Sequence, residues 1–554
     1  MSERTRKLWR GALLVALLLL FAGLKANFDH GLGRRALDGD YYYQIARHVA
    51  EGDGMATSVS LYNQGFQSFP HRINQSPAWV LLLGYTGRWF GLDTVSRRLP
   101  EALYLAGLLA LYFLANRLRR RLGDGGWLRA DGLPDFGHVA VVVLGASPIY
   151  FRFSSLPYTE PMAFLLMFGS LLALDRAALE RSAGWAVAAG LCAGVALLTR
   201  SQMLPLVIAA PVALAAAGLR ERRLLVPAGA CLAAALLPLV PWGIWLSTWI
   251  DPMTPGAVIG FADLSETPGL PVFAHVVATD SFGAWLLDRG RGLLVAFDPR
   301  HELSYVVNSG FLPYLVLVAP VHFVWTRRHS LTGVLRPPPE TVLPLALLLC
   351  GAGMLIPVHM AHGTFFREWL FAHRHGLPIL LLILPCLAYL CQAGRAARAT
   401  AIALLLASAV WIPSGLYATM TEEYSTGLTP NEEKLVRWLG RHVDTPSVVT
   451  TRAQHLSVYS RVGFHWMLCK EVGEDQAMAL MHYAGADYMV VYESQLAGCK
   501  FTTYRTRRQK FKHVTTFGKE GEGNRIMVFK LNRFEAVDEP PKLRPFDEPQ
   551  APGS

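Results

Sequence analysis

Residues 184–249 read GWAVAAGLCAGVALLTRSQMLPLVIAAPVALAAAGLRERRLLVPAGACLAAALLPLVPWGIWLSTW, and the fold turns on this stretch. Its only charged residues are Arg200 and the cluster Arg220, Glu221, Arg222 and Arg223. A bilayer core of about 30 Å needs roughly 20 apolar residues in helix, so the stretch divides into three spans over 184–199, 202–219 and 224–249. The whole chain has the same character. Of its 554 residues 52% are hydrophobic and 17% charged, with a mean hydropathy of +0.29, whereas soluble domains carry about 25% charged residues. Composition disfavours a soluble enzyme and predicts a polytopic α-helical membrane protein.

Eight further apolar blocks, at 11–27, 99–116, 138–153, 162–178, 311–325, 341–358, 377–392 and 399–413, bring the expected spans to eleven. Cytoplasmic loops are enriched in Lys and Arg. Basic residues collect at the ends of alternate blocks: Arg117, Arg119, Arg120 and Arg121; Arg220, Arg222 and Arg223; Arg327 and Arg328; Arg395 and Arg398. With these ends inside, the N-terminus is cytoplasmic and the C-terminus extracytoplasmic. The net charge of +11 is then mostly topological, and nucleic-acid binding drops out. The first block follows Arg4, Arg6, Lys7 and Arg10 as in a signal peptide, but Leu24-Lys25-Ala26 makes a poor cleavage site, so an uncleaved first helix is expected. Residues 77–91 (PAWVLLLGYTGRWFG) would, as a twelfth span, put the Arg117–Arg121 cluster outside; they are read as an interfacial or re-entrant helix.

A transmembrane domain is thus expected over 1–419, with a first outer loop at 28–98 carrying juxtamembrane helices and a large outer loop at 250–308. After residue 420 the composition changes. NEEKLVRWLGRHV (431–443) reads as an amphipathic helix, and SVVTT, DYMVVYE, HVTTF and RIMVFKL read as strands. A small extracytoplasmic α/β domain is expected over 420–533, then a Pro-rich disordered tail over 534–554. Five of the seven cysteines lie in apolar blocks as packing residues. Cys469 and Cys499 lie in the polar C-terminal region, where an extracytoplasmic location allows a disulfide.

The candidate chemistry gathers at the outer ends of the spans. Asp38 and Asp40 stand two residues apart just after the first helix, followed by Tyr41, Tyr42, Tyr43 and Arg47. Carboxylates at a partly desolvated site gain basicity; capping of a helix starting near Tyr41 is the competing reading. Glu160 lies in a short apolar-flanked turn, where a charge is costly unless paired or functional, though it too can open a helix. Arg200, at the end of a span, suits a phosphate or snorkels to lipid headgroups. The loop 359–378 contains His362, Arg367, Glu368, His373, Arg374 and His375. No acid or cysteine stands three or four residues from these histidines, so a basic site for an anionic headgroup is expected rather than zinc. His71 and Arg72 add a polar cluster beside 77–91, and Arg289 and Arg291 stand in the large outer loop. Acids and arginines at one membrane level suit a lipid carrying a phosphate-linked group. With no Walker A loop, nucleotide-driven transport is disfavoured.

In this arrangement the chain resembles the GT-C superfamily of membrane glycosyltransferases that use polyprenyl-phosphate sugars, and within it the aminoarabinose transferase and protein O-mannosyltransferase branch. Asp38, Tyr42, Ile45 and Ala46 keep the spacing of that branch after its first helix; its Asp-Glu pair is Asp38-Gly39 here, the second acid being absent or moved to Asp40. Gln75-Ser76-Pro77, with Arg72 as the basic residue, resembles its Lys-Pro-Pro. Glu160-Pro161, Leu198-Thr199-Arg200 and Arg374-His375-Gly376-Leu377-Pro378 resemble its later motifs in order. The resemblance covers roughly 10–390. It implies inverting transfer on the outer face from a polyprenyl-phosphate sugar to a lipid, glycan or protein. Asp38 would be the base with Asp40 as its partner or understudy, Glu160 would orient the neighbours of Asp38 or the acceptor, and Arg200 and Arg374 would bind the leaving phosphate. Tyr42, Arg47, Arg72, Arg367 and His375 would join substrate binding. No cofactor is expected, with a divalent cation left open. Short loops suggest a bacterial inner membrane. The alternatives are a transporter or flippase of lipid-linked sugars, which would place charges near the membrane midplane, and a metal-dependent oligosaccharyl or arabinosyl transferase.

Overall fold

The computed structural model describes residues 2–27, 37–60, 71–72, 77–123, 127–247, 297, 309–327, 338–360, 376–421, 428–443, 447–450, 453–466, 486–496, 511–519 and 525–531. Arg289, Arg291, Arg367, Arg374, His375, Cys469, Cys499, nearly all of 250–308 and the tail from 534 lie outside these residues. The chain divides into two compact units, one of 1–29, 74–79 and 96–423, the other of 30–73, 80–95 and 424–554.

Over its described residues each expected apolar block is built of helix, in one piece or two. In order they are α1 (Glu3–Asn27), then, after α2 (Leu37–Glu51) and α3 (Pro77–Phe90), α4 (Leu92–Leu122), and the pair α5 (Phe136–Gly145) and α6 (Pro148–Phe153). Next come α7 (Glu160–Glu180), α8 (Ala183–Thr199), α9 (Leu204–Gly218), and the pair α10 (Leu225–Leu236) and α11 (Leu239–Ser247). The series closes with α12 (Leu315–Arg327), α13 (Val342–Met360), α14 (Ile379–Leu390) and α15 (Arg395–Thr421). Six helices among the described residues are long and apolar enough to cross a membrane: Glu3–Asn27, Leu92–Leu122, Glu160–Glu180, Ser201–Gly218, Arg222–Trp245 and Arg395–Tyr417. The other five blocks form shorter apolar helices. The expected span over 138–153 is broken, because Ser147-Pro148 starts a new helix: proline lacks the N–H that α5 would need to continue.

Small residues set the closest packing in the first unit. Gly190 and Gly194 lie one turn apart on α8, where a Cβ would collide with the Cys231 and Ala235 carbonyls of α10. This is the small-xxx-small arrangement that lets apolar helices touch backbone to backbone.

Charges fasten the ends of the helices. Asp175 near the C-terminal end of α7 is nearly fully buried and takes Arg117 at 3.2 Å and Arg121 at 2.8 Å from the last turns of α4. Arg119, fully buried, donates to the Leu128 carbonyl at 3.1 Å and to that of Trp127 at 3.2 Å. Asp135 caps α5 in a reciprocal box with His138, whose Nε2 lies 3.1 Å from the Arg10 carbonyl on α1. The basic ends of α1 and α4 and the acidic end of α7 are therefore tied at the same level as the start of α5.

The second unit holds a six-stranded mixed sheet in the order β2-β5-β4-β6-β8-β7, comprising β2 (Val59–Ser60), β4 (Ser447–Thr450), β5 (Gly463–Trp466), β6 (Tyr488–Tyr492), β7 (Phe511–Phe517) and β8 (Ile526–Leu531). Strands β2, β5, β4 and β6 pair in parallel, and β6-β8-β7 antiparallel. The edge strand β2 comes from the first outer loop, pairing Val59 with Phe464, so the sheet is not confined to the C-terminal region. A separate two-stranded ribbon joins β1 (Ala56–Thr57) to β3 (His71–Arg72). The helices α16 (Pro430–His442) and α17 (Ala453–Tyr459) complete the unit. Thr429 opens α16 with a capping box, its side chain taking the Glu432 N–H and the Glu432 carboxylate taking the Thr429 N–H.

Candidate active site

The helix carrying the two aspartates begins at Leu37, earlier than the start near Tyr41 that a capping role requires. Asp38 and Asp40 therefore both lie within its first turn. Residues two apart on a helix differ by about 200° around the axis and do not face each other. The two acids part company accordingly: Asp40 is 6% exposed, and Asp38 is half-buried. They form no carboxylate dyad.

Helix α2 is buried along most of its length. Tyr41, Tyr42, Tyr43, Ile45 and Ala46 all pack inside. Gln44 is fully buried, donating to Thr57 Oγ1 at 2.6 Å and accepting from the Ser58 N–H at 2.8 Å. Gly84 of α3 allows the two helices to approach, since a Cβ there would overlap Val49 and the Ala46 carbonyl. Tyr43 donates to Asp93. Arg47 spends its guanidinium on the Val458 and Ser460 carbonyls, each at 3.2 Å; in the structure it fastens α2 to the end of α17. Arg72 stands opposite Ala56 in the two-stranded ribbon.

Asp40 meets a partner that sequence reasoning missed. His455 on α17 places Nδ1 3.6 Å from Asp40 Oδ2, and its Nε2 lies 3.8 Å from Glu432 Oε2 on α16. These separations are long for hydrogen bonds and within the range of ion pairs. The imidazole is thus an ionic link between two carboxylates, with all three residues at least nine-tenths buried. Burial pushes Asp40 up to about 6, an effect His455 partly offsets. Burial alone would lower His455, but the two acids raise it to about 9. Burial would raise Glu432, yet His455 and the Thr429 N–H hold it well below the usual carboxylate range. Glu432 is fixed independently, taking Tyr492 Oη at 3.1 Å and the Thr429 N–H at 2.8 Å.

In the first unit, Glu160 and Arg200 meet as a buried ion pair between the start of α7 and the end of α8. Arg200 also donates to Thr159 Oγ1 at 3.3 Å and Gln202 Oε1 at 3.0 Å. The turn before Glu160 is held from two further directions. Lys25 of α1, 1% exposed, donates to Ser154 Oγ at 2.8 Å, to Ser155 Oγ and to the Phe151 carbonyl, with its ammonium over the Tyr104 and Phe151 rings. Trp79 Nε1 donates to the Pro157 carbonyl at 2.8 Å.

A divalent cation would need converging free donors. Among the described residues the grouped donors are His48, Glu51 and Asp53, whose ligand atoms lie within 4.8 Å of one another. Both His48 nitrogens are already engaged, by Asp53 at 2.8 Å and Ser58 Oγ at 2.7 Å. Asp40 faces an imidazole that favours the cationic form. Among the described residues the His48, Glu51 and Asp53 group is therefore closed by its own hydrogen bonds.

Known proteins fit this architecture. Residues 134–245 match the family model described as dolichyl-phosphate-mannose-protein mannosyltransferase. The fold is similar to that of an oligosaccharyltransferase from Archaeoglobus fulgidus. Its apo form superposes with a TM-score of 0.51 at 13% identity, over 89% of this chain and 70% of that one. The complex of that enzyme, AglB, with an inhibitory peptide and a dolichol-phosphate gives 0.53 at 14%, over 92% and 73%. Its complex with Zn and sulfate gives 0.52 at 13%, over 91% and 72%. No curated protein matches by sequence. The family-model match and the shared fold bear out the resemblance to the GT-C glycosyltransferases.

Proposed function

We propose that this protein is an inverting glycosyltransferase that takes a sugar from a polyprenyl-phosphate donor and passes it to a lipid, glycan or protein acceptor on the extracytoplasmic face of the membrane. The observation that carries the reading is the half-buried Asp38, presented by the first turn of a buried helix directly after the first apolar helix, in a fold shared with a membrane oligosaccharyltransferase. The acceptor oxygen or nitrogen attacks the anomeric carbon while the bond from that carbon to the phosphate oxygen breaks. The lipid phosphate leaves with the electron pair, and the acceptor proton passes to the Asp38 carboxylate. Asp40, turned inward onto His455, holds the turn that presents Asp38 rather than sharing its proton. The resemblance gives the leaving phosphate to Arg200 and Arg374. Arg200 is met by Glu160, Thr159 and Gln202, so we assign the Glu160–Arg200 pair to shaping its turn and leave direct phosphate contact to the arginines of 359–378. The eleven helical blocks are proposed to cross the membrane with the sheet-bearing unit outside; the transporter alternative is disfavoured because ion pairs fasten helix ends rather than mid-helix positions.

The test compares envelope glycans and lipids of cells lacking the protein, complemented with wild type or Asp38→Asn. A mass shift restored by wild type alone supports the assignment and identifies the sugar. Restoration by both removes Asp38 from the mechanism.

A further inference from the structure

We propose that His455, held between Glu432 and Asp40, is a positioning residue for the transfer reaction: it ties the first turn of α2, and with it Asp38, to the C-terminal part of the chain. The proposal rests on the glycosyltransferase reading above.

The geometry is specific. His455 is 7% exposed, and among the described residues its buried Nδ1 has no hydrogen-bond partner, only the Asp40 carboxylate at 3.6 Å. Glu432 on the other side is anchored by Tyr492 and the Thr429 N–H, so the imidazole has a fixed post to lean on. The Tyr459 ring meets it edge-on at 5.8 Å. Among the described residues, the charged groups facing His455 are Asp40 and Glu432, and the one facing Asp40 is His455. An imidazolium between two carboxylates leaves one net negative charge. A buried Asp40 without that cation takes up a proton, releases the imidazole and frees the turn that carries Asp38.

The arrangement therefore expects a bell-shaped rate profile, with an acid limb near pH 6 from Asp40 and an alkaline limb near pH 9 from His455. The test uses purified full-length protein in lipid nanodiscs. The donor is a polyprenyl-phosphate carrying the sugar found in the envelope comparison, and kcat and KM are followed from pH 5 to 10. His455→Gln is expected to lower kcat by ten- to a hundred-fold with KM little changed, to raise the acid limb by a pH unit or more and to abolish the alkaline limb. Glu432→Gln, which keeps the side-chain shape should His455→Gln fail to fold, is expected to lower the alkaline limb. Isotope-labelled histidine spectra at pH 7.5 should show a buried imidazolium that Glu432→Gln removes, a readout independent of any substrate. Limbs that superpose on wild type in both variants, or a neutral His455 at pH 7.5, overturn the proposal even if rates fall. Full activity in Asp38→Asn overturns the function reading instead.

Discussion

Replacing Glu160 by Gln removes a charge from a pair in which one partner is 1% exposed and the other 8%. The amide keeps the shape and an oxygen acceptor, so what is lost is the counter-charge for a buried guanidinium. Breaking a buried pair from one side costs about 3–5 kcal/mol; Arg200 keeps its bonds to Thr159 and Gln202, which places the expected loss near the lower end, about 3 kcal/mol. Arg200→Gln strands the carboxylate instead and costs a similar amount. The double variant strands no charge, so it should be more stable than the sum of the single changes by about 2 kcal/mol or more. The assay is a double-mutant cycle on thermal unfolding in nanodiscs, read by tryptophan fluorescence. Additivity within about 0.5 kcal/mol, the behaviour of distant sites, would refute the pair and the reasoning built on it. Lys at position 200 should not rescue, because an ammonium cannot span Thr159, Glu160 and Gln202 as the planar fork does.

Three further outcomes are expected. His455 has its folded pKa raised, so its contribution of order 3 kcal/mol is fully present below pH 6.5 and fades as pH rises through about 9; hydrogen exchange of α16 and α17 should speed up over that window, and His455→Gln should flatten the dependence. Lys25→Met should lower stability by about 1–3 kcal/mol, since the Phe151 carbonyl loses a donor while Ser154 and Ser155 keep bonds to the helix behind them; a thermal midpoint unchanged from wild type would contradict the buried clamp. Chelation should leave transfer intact, as both His48 nitrogens are committed within the protein, and a loss restored by added Zn would favour a metal-dependent oligosaccharyl transferase.

The helices were legible because each rests on a run of apolar residues long enough to declare itself; even the break at Ser147-Pro148 announces itself chemically. The sheet was half legible. The segments 447–451, 487–493, 513–517 and 525–531 carry β-branched and aromatic residues in sequence, whereas GFHW at 463–466 and Val59-Ser60 are too short to show a period of two. Thr429-Pro430-Asn431-Glu432 is a readable capping box, but the second duty of Glu432, to His455, is not. A lone histidine in AQHLSVY carries no sign of an acid about 400 residues earlier. Likewise Glu160 and Arg200 were each visible as isolated charges, and only the return of α8 alongside α7 makes them partners. Local pattern reveals which segments must be covered. It is silent on which covered charges meet.

The parallel pairing of β2 with β5 also bears on how the protein is made. Val59 leaves the ribosome roughly 400 residues before Phe464, its partner, and most of the helical unit is synthesised between them. Through that interval the early segment waits without its neighbour, a long-range closure of the kind that slows folding and invites misassembly. A C-terminal fragment expressed from residue 424 onward would lack β2, leave the β5 edge open and bury neither Glu432 nor His455 against α2. Such a fragment is a poor surrogate for the intact unit, and truncations late in the chain should register first as unpaired sequence between the first and second apolar helices.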